Sequence, residues 1–121
     1  MASQTKKRSS YKFGLYAEYI ACIWLILSGH KIIARRSKTP YGEIDIIALR
    51  AKQLLIIEVK ARRHKSQFLE VLSKRQQYRL KRAGEFFAKR QRRLQYKKIR
   101  FDLIFIAKPF YMKYVKNFLI N

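Results

Sequence analysis

The sequence predicts a small single α/β domain, a mixed β-sheet flanked by helices in the order α-β-β-β-α-β. Three observations lead there. Two Ile-rich runs of strand length, residues 43–49 and 54–61, follow one another across a very short connection. A longer segment after them carries apolar residues at spacings of three and four, the period of a helix. A further apolar run, residues 99–107, follows that helix, so two strands bracket it as in a parallel crossover. With 121 residues, 49% of them hydrophobic, the chain can bury one real core and is too short for two.

Residues 1–10, "MASQTKKRSS", are polar and basic and read as a flexible N-terminus ahead of a domain spanning 11–121. A helix is expected from Phe13 to Leu27, closed by Gly29 in the C-terminal capping position. "HKIIARR" reads as a short strand and "SKTPYG" as a loop broken by Pro40 and Gly42. "EIDIIAL" and "LLIIEVKA" form a hairpin. Leu69, Leu72, Gln76, Leu80, Ala83 and Phe87 then make an amphipathic stripe, with Lys74, Arg75, Arg79, Lys81, Arg82, Lys89 and Arg90 on the outer face. "IRFDLIFIA" returns beside 54–61, and the final "YMKYVKNFLIN" is a short helix or strand covering an edge. There is no internal repeat.

The charge balance narrows the partners. Twenty-nine Lys and Arg face seven Asp and Glu, a formal net charge of +22. Self-repulsion on that scale points to a polyanion, and nucleic acid is the commonest one. Anionic membrane surfaces and ribosomal RNA are the alternatives that charge alone leaves open. One cysteine, Cys22, and no metal-type Cys/His spacing exclude zinc and disulfide frameworks and fit a reducing cytoplasm. The apolar "YIACIWLIL" falls well short of the ~20 residues a spanning helix needs, and Glu18 sits at its edge. It reads as a core helix, with no stable membrane insertion. Oligomeric state stays open, a dimer included.

Three of the seven acids fall within residues 42–62. If Ala51 and Lys52 form a two-residue turn, Asp45 lies opposite Glu58 and Glu43 opposite Lys60, all four on one face. Opposed residues have Cβ atoms roughly 4.5–5.5 Å apart. Two carboxylates at that range repel unless one holds a proton or a cation lies between them. Mg²⁺, bound by one or two carboxylates, waters and a substrate phosphate, would resolve the conflict. Lys60 adds a fixed positive charge, and the set suits hydrolysis of a phosphodiester. The plainer alternative is that these acids neutralise neighbouring Lys and Arg on a solvated face. Ala-Lys also lacks the Asn-Gly chemistry favoured in two-residue turns.

"GEIDIIA" followed by "EVKAR" resembles the YraN-type family of small bacterial proteins, whose fold is similar to restriction endonucleases and archaeal Holliday-junction resolvases. The likeness extends to "GLYAEYIACIWLILSGHKIIARR" before the hairpin and "RFDLIFIA" after it. It implies a restriction-endonuclease-like PD-(D/E)xK core, with Asp45 in the first motif position and Glu58 and Lys60 in the second. Ile44 stands where that motif usually has proline. In the resolvase-like branch an N-terminal helix adds a glutamate to the metal site, and Glu18 is the matching position here.

These readings converge on a cytoplasmic, Mg²⁺- or Mn²⁺-dependent nuclease-like domain acting on DNA, including structured or branched DNA. Asp45, Glu58 and Glu18 would bind metal and Lys60 would be the catalytic lysine. Arg62, Arg63, Lys65 and Lys74 would contact phosphates, giving affinity without sequence choice. The rival is a nucleic-acid-binding module that keeps the fold without turnover; a basic ribosome- or membrane-associated structural protein comes third. Outside the site, Asp102 is expected to pair with an arginine such as Arg100. Gln76 is expected at the core margin, His30 and His64 in surface loops, and Trp24, Phe86 and Phe87 in the core.

Overall fold

The computed structural model describes residues 2–70, 72–91, 93–96 and 98–119, with side chains from residue 9 onward. Its elements are α1 (Ala2–Leu27), β1 (Lys31–Thr39), β2 (Gly42–Arg50), β3 (Gln53–Arg62), α2 (Lys74–Arg90), β4 (Lys98–Ala107) and β5 (Tyr111–Val115). A 3₁₀ turn at Lys65–Glu70 precedes α2. One five-stranded sheet runs in the order β1-β2-β3-β4-β5. The first three strands form an antiparallel meander, β4 lies parallel to β3, and β5 returns antiparallel along β4. The mixed sheet and the crossover through α2 match the expected architecture, and the C-terminal segment takes the strand alternative.

Apolar alternation along the strands supplies both faces of the sheet. Leu55, Ile57 and Val59 of β3 pack with Ala17, Ala21 and Leu25 of α1. Leu54 and Ile56, one residue out of phase, pack with Leu80, Ala83 and Phe87 of α2. Close approach of α2 depends on Gly84, where an added Cβ would sit 2.6 Å from the Phe101 ring and 3.0 Å from Ile56. The other end of α1 is closed as its sequence indicates. Gly29 has φ +88, its amide donates to the Ile26 carbonyl, and His30 N–H donates to Leu25, the paired bonds of a Schellman cap.

The structure corrects several boundaries. Helix α1 begins at Ala2 rather than Phe13, because nothing in "SQTKKRSSYK" breaks a helix already nucleated by its packed C-terminal half. Strand β1 continues to Thr39 through residues expected in a loop. Leu69 and Leu72 keep the helical spacing yet precede α2, and Leu69 is 91% exposed in the 3₁₀ turn. Helix α2 starts where Ser73 and Gln76 make a reciprocal capping box, with Gln76 N–H donating to Ser73 Oγ and Ser73 N–H to Gln76 Oε1.

Two polar groups lie inside. His30 is buried rather than in a surface loop, its Nδ1 3.0 Å from the Leu25 carbonyl, and burial holds its pKa below the usual histidine range. Asp102 pairs with Arg100 as expected, at 2.9 Å, and is fully buried. It also accepts from the Asn117 amide at 2.8 Å and from the Tyr114 hydroxyl. That network ties the edge strand β5 and the segment after it to β4, and it satisfies the carboxylate that burial would otherwise penalise.

Candidate active site

The β2–β3 register is the one a two-residue turn dictates. Arg50 pairs with Gln53, Leu49 with Leu54, and so on to Ile46 with Ile57. The turn itself places both Ala51 (φ 49) and Lys52 (φ 66) in the left-handed region, the signature of a type I′ turn. Continuing the count puts Asp45 level with Glu58. There the alternation of β2 breaks. Ile44 and Ile47 both pack on the α2 side and Ile46 on the other, so the strand twists across Asp45 instead of holding strict period two. As a result the Asp45 carboxylate reaches the β3 backbone and accepts the Val59 amide at 2.8 Å.

Asp45 and Glu58 are thereby brought together. Burial pushes the Asp45 pKa up to about 8, with the Glu58 charge next, and the Val59 amide working against both. Farther contributions come from the Glu18 charge and a hydrogen bond shared with Glu58. Lys60 Nζ lies 3.1 Å from Glu58 Oε1, with both side chains mostly covered. Glu58, Lys60 and Glu43 line a cleft of about 180 Å³, closed on the other side by Gln76, Arg79 and Leu80 of α2.

Glu18 comes near enough for its charge to act on Asp45, but its carboxylate is turned to Arg36, at 2.9 Å. Among the described residues no three His, Cys, Asp or Glu side chains are grouped to hold a metal ion. The three-carboxylate convergence is therefore not assembled, while the Asp45–Glu58 pair is. Arg36 is a residue the sequence reading missed. Arg35 pairs with Ile46 and Ser37 with Ile44, which sets Arg36 level with Asp45 on the β1 side. Its φ of 49 is rare for a non-glycine strand residue, and no pattern in the sequence encodes it. Gln76, expected at the core margin, is instead exposed, because it closes the capping box with Ser73 at the start of α2, a Ser-x-x-Gln spacing that the sequence reading missed.

The expected phosphate contacts lie at the end of β3, just after it, and at the start of α2. Arg62, at the end of β3, donates to the Ala61 carbonyl at 2.8 Å. With Arg63 it lines a second cleft of about 340 Å³ against Ser9, Ser10 and Phe13 of α1. Arg63, Lys65 and Lys74 are exposed, Lys74 as the first residue of α2. No described helix is long and apolar enough to cross a membrane.

A five-stranded mixed sheet between two helices, with Asp45 on β2 and a Glu-x-Lys on β3, makes this a small mixed α/β domain. Residues 17–106 match the model of "Uncharacterised protein family UPF0102". A UPF0102 protein of Parvibaculum lavamentivorans is 41% identical over 99 residues, covering 82% of this chain and 74% of that protein. One from Caulobacter vibrioides is 38% identical over 104 residues, covering 86% and 83%. One from Maricaulis maris is 33% identical over 101 residues, covering 84% and 80%. The chain belongs to the UPF0102 family, the YraN family that its hairpin motif resembles.

Proposed function

We propose that this chain is a metal-dependent nuclease that hydrolyses DNA phosphodiester bonds in the cytoplasm, structured or branched DNA included. The observation that carries the reading is the Asp45–Glu58 carboxyl pair, with Lys60 against it beside an open cleft, in a chain of net charge +22. The donor set fits a hard divalent cation. Two carboxyls in contact, one of them driven to hold a proton, are a pair that a cation relieves. Asp45 and Glu58 would hold Mg²⁺ or Mn²⁺, which when bound supplies Lewis acidity and a more acidic water. Glu18 would join if Arg36 released it.

The remaining roles belong to side chains. Val59 N–H fixes the Asp45 carboxylate, so the ligand is oriented before anything binds. Lys60, mostly covered from solvent, stabilises the charge that develops on the attacked phosphoryl group. Arg62, Arg63, Lys65 and Lys74 hold flanking phosphates.

The test incubates linear, single-stranded and branched DNA with the purified protein in Mg²⁺, Mn²⁺ or EDTA. Cleavage should require metal. Asp45→Asn should abolish it, and Lys60→Met should slow it by about 10²–10³-fold, the usual loss for a charge-stabilising donor. Both variants should bind DNA as well as the parent. Wild-type protein that binds every DNA form and cuts none with either metal would instead be a non-catalytic binding module.

A further inference from the structure

Outside the carboxyl pair, the outer side of α2 carries an arrangement that the proposed reaction does not use. Tyr78 is 63% exposed and Tyr41, in the β1–β2 turn, is 39% exposed. Neither ring belongs to a core cluster. The Arg82 guanidinium sits between them, 5.2 Å from the Tyr41 ring centre and 5.9 Å from that of Tyr78. Tyr41 packs edge-on against Phe86 at 6.3 Å, which braces its ring. Tyr41 also lines the cleft that holds Glu58 and Lys60. Exposed cation–π pairs contribute little to folding, so stability does not account for leaving these rings in water.

Charge and shape select the occupant. The surrounding face carries Arg75, Arg79 and Arg90, so the partner is anionic. Flat rings offer nothing to an intact duplex, whose base faces are already stacked. An unpaired strand has both the phosphates for the arginines and free base faces for the rings. We infer that Tyr41 and Tyr78, with Arg82 between them, form a stacking platform for unpaired nucleotides at the mouth of the Glu58–Lys60 cleft. The inference rests on the nuclease reading for what happens next to the platform, and names its substrate class: strands with unpaired bases, at ends, loops or flaps.

Binding is measured in EDTA, so that no cleavage contributes, using fluorescence anisotropy. The probes are an oligothymidine, an abasic oligonucleotide of the same length, a blunt duplex and polyglutamate. Wild-type protein should bind oligothymidine about 5–10-fold more tightly than the abasic strand, the usual gain from stacking one base. Tyr78→Leu and Tyr41→Leu should each remove much of that difference while leaving abasic and duplex binding unchanged. Tyr78→Phe should keep it, and because Tyr78 is a surface residue its variants report on the ring with the fold intact. Equal affinity for the base-bearing and abasic strands would overturn the platform. So would a parallel loss on all probes in the leucine variants, or tighter binding of polyglutamate than of oligothymidine. Failure of cleavage with Mg²⁺ or Mn²⁺ leaves this binding result standing, so the two readings fail separately.

Discussion

Asp45 concentrates most of the chemistry of the site in one proton. Its pKa is raised from the ordinary 3.8 to about 8. Between those values the folded chain holds a proton that the unfolded chain has lost, so stability falls as pH rises. The contribution is complete below about pH 4 and gone once pH passes about 8. Asp45→Asn should therefore flatten the part of the pH–stability curve between those limits. Metal flattens the slope, because a cation binds the ionised carboxylate and must expel the proton that the folded chain otherwise keeps. Apparent Mg²⁺ affinity should climb with pH and level off near pH 8. Thermal melts across pH, with and without Mg²⁺, check both halves. A wild-type profile identical to that of Asp45→Asn would remove this residue from the metal site. Arg36 belongs to the same scale. Its guanidinium, 2.9 Å from Glu18, offsets a third negative charge that also acts on Asp45.

The β2–β3 hairpin sets that geometry as an element, and it does so in spite of its turn. Ala51 and Lys52 take positive φ, a conformation that costs a residue with a Cβ roughly 1–2 kcal/mol. What imposes it is register. Both faces of β3 are apolar from Leu54 to Ile57, so a slip of one residue is costly chiefly because it would turn Glu58 and Lys60 into the α1-side core. Replacing Ala51-Lys52 with Asn-Gly should keep the pairing and stabilise the fold by about 1–2 kcal/mol. In a chain this size that is a rise of several degrees in Tm, with metal-dependent behaviour unchanged. A fall in Tm would mean that the turn takes another form. The hairpin was legible in its Ile and Leu runs, but its register was not, since runs that are apolar on both faces leave the pairing conditional on the turn. Other features were not. Leu69, inside the 3₁₀ turn, and Leu72, just after it, keep helical spacing, and a period of three differs too little from that of an α-helix to be seen over so short a stretch. The twist at Asp45 and the left-handed Arg36 are backbone states that tertiary packing selects and residue type does not announce. His30 is buried by the cap that ends α1, a contact five residues back along the chain, and reads as a loop residue in sequence.

At the scale of the molecule, a charge of +22 is a property of the whole surface, and it separates affinity from chemistry. Basic residues lie along α2, at the end of β3 and beyond it, whereas the acids that matter are gathered beside one cleft. Attraction for a polyanion is thus spread over many groups, and removing one changes little. At the carboxyl pair that field is locally offset, with Glu58 paired to Lys60 and Glu18 to Arg36. Binding should therefore be steep in salt and indifferent to sequence. With roughly 6–10 phosphates neutralised, log K against log salt should fall with a slope of about −5 to −9 on duplex DNA. Changing Arg62, Arg63 and Lys65 together to glutamine should make the slope shallower by about one unit for each phosphate no longer neutralised. Asp45→Asn should leave the slope where it was, since the aspartate neutralises no phosphate. Fluorescence titrations over a salt series give each slope directly. A shallow slope in the wild type would place the positive surface away from the nucleic acid. An unchanged slope in the triple variant would move the phosphate path from the β3 end to the face of α2, where Lys74, Arg75 and Arg79 are the next residues to replace.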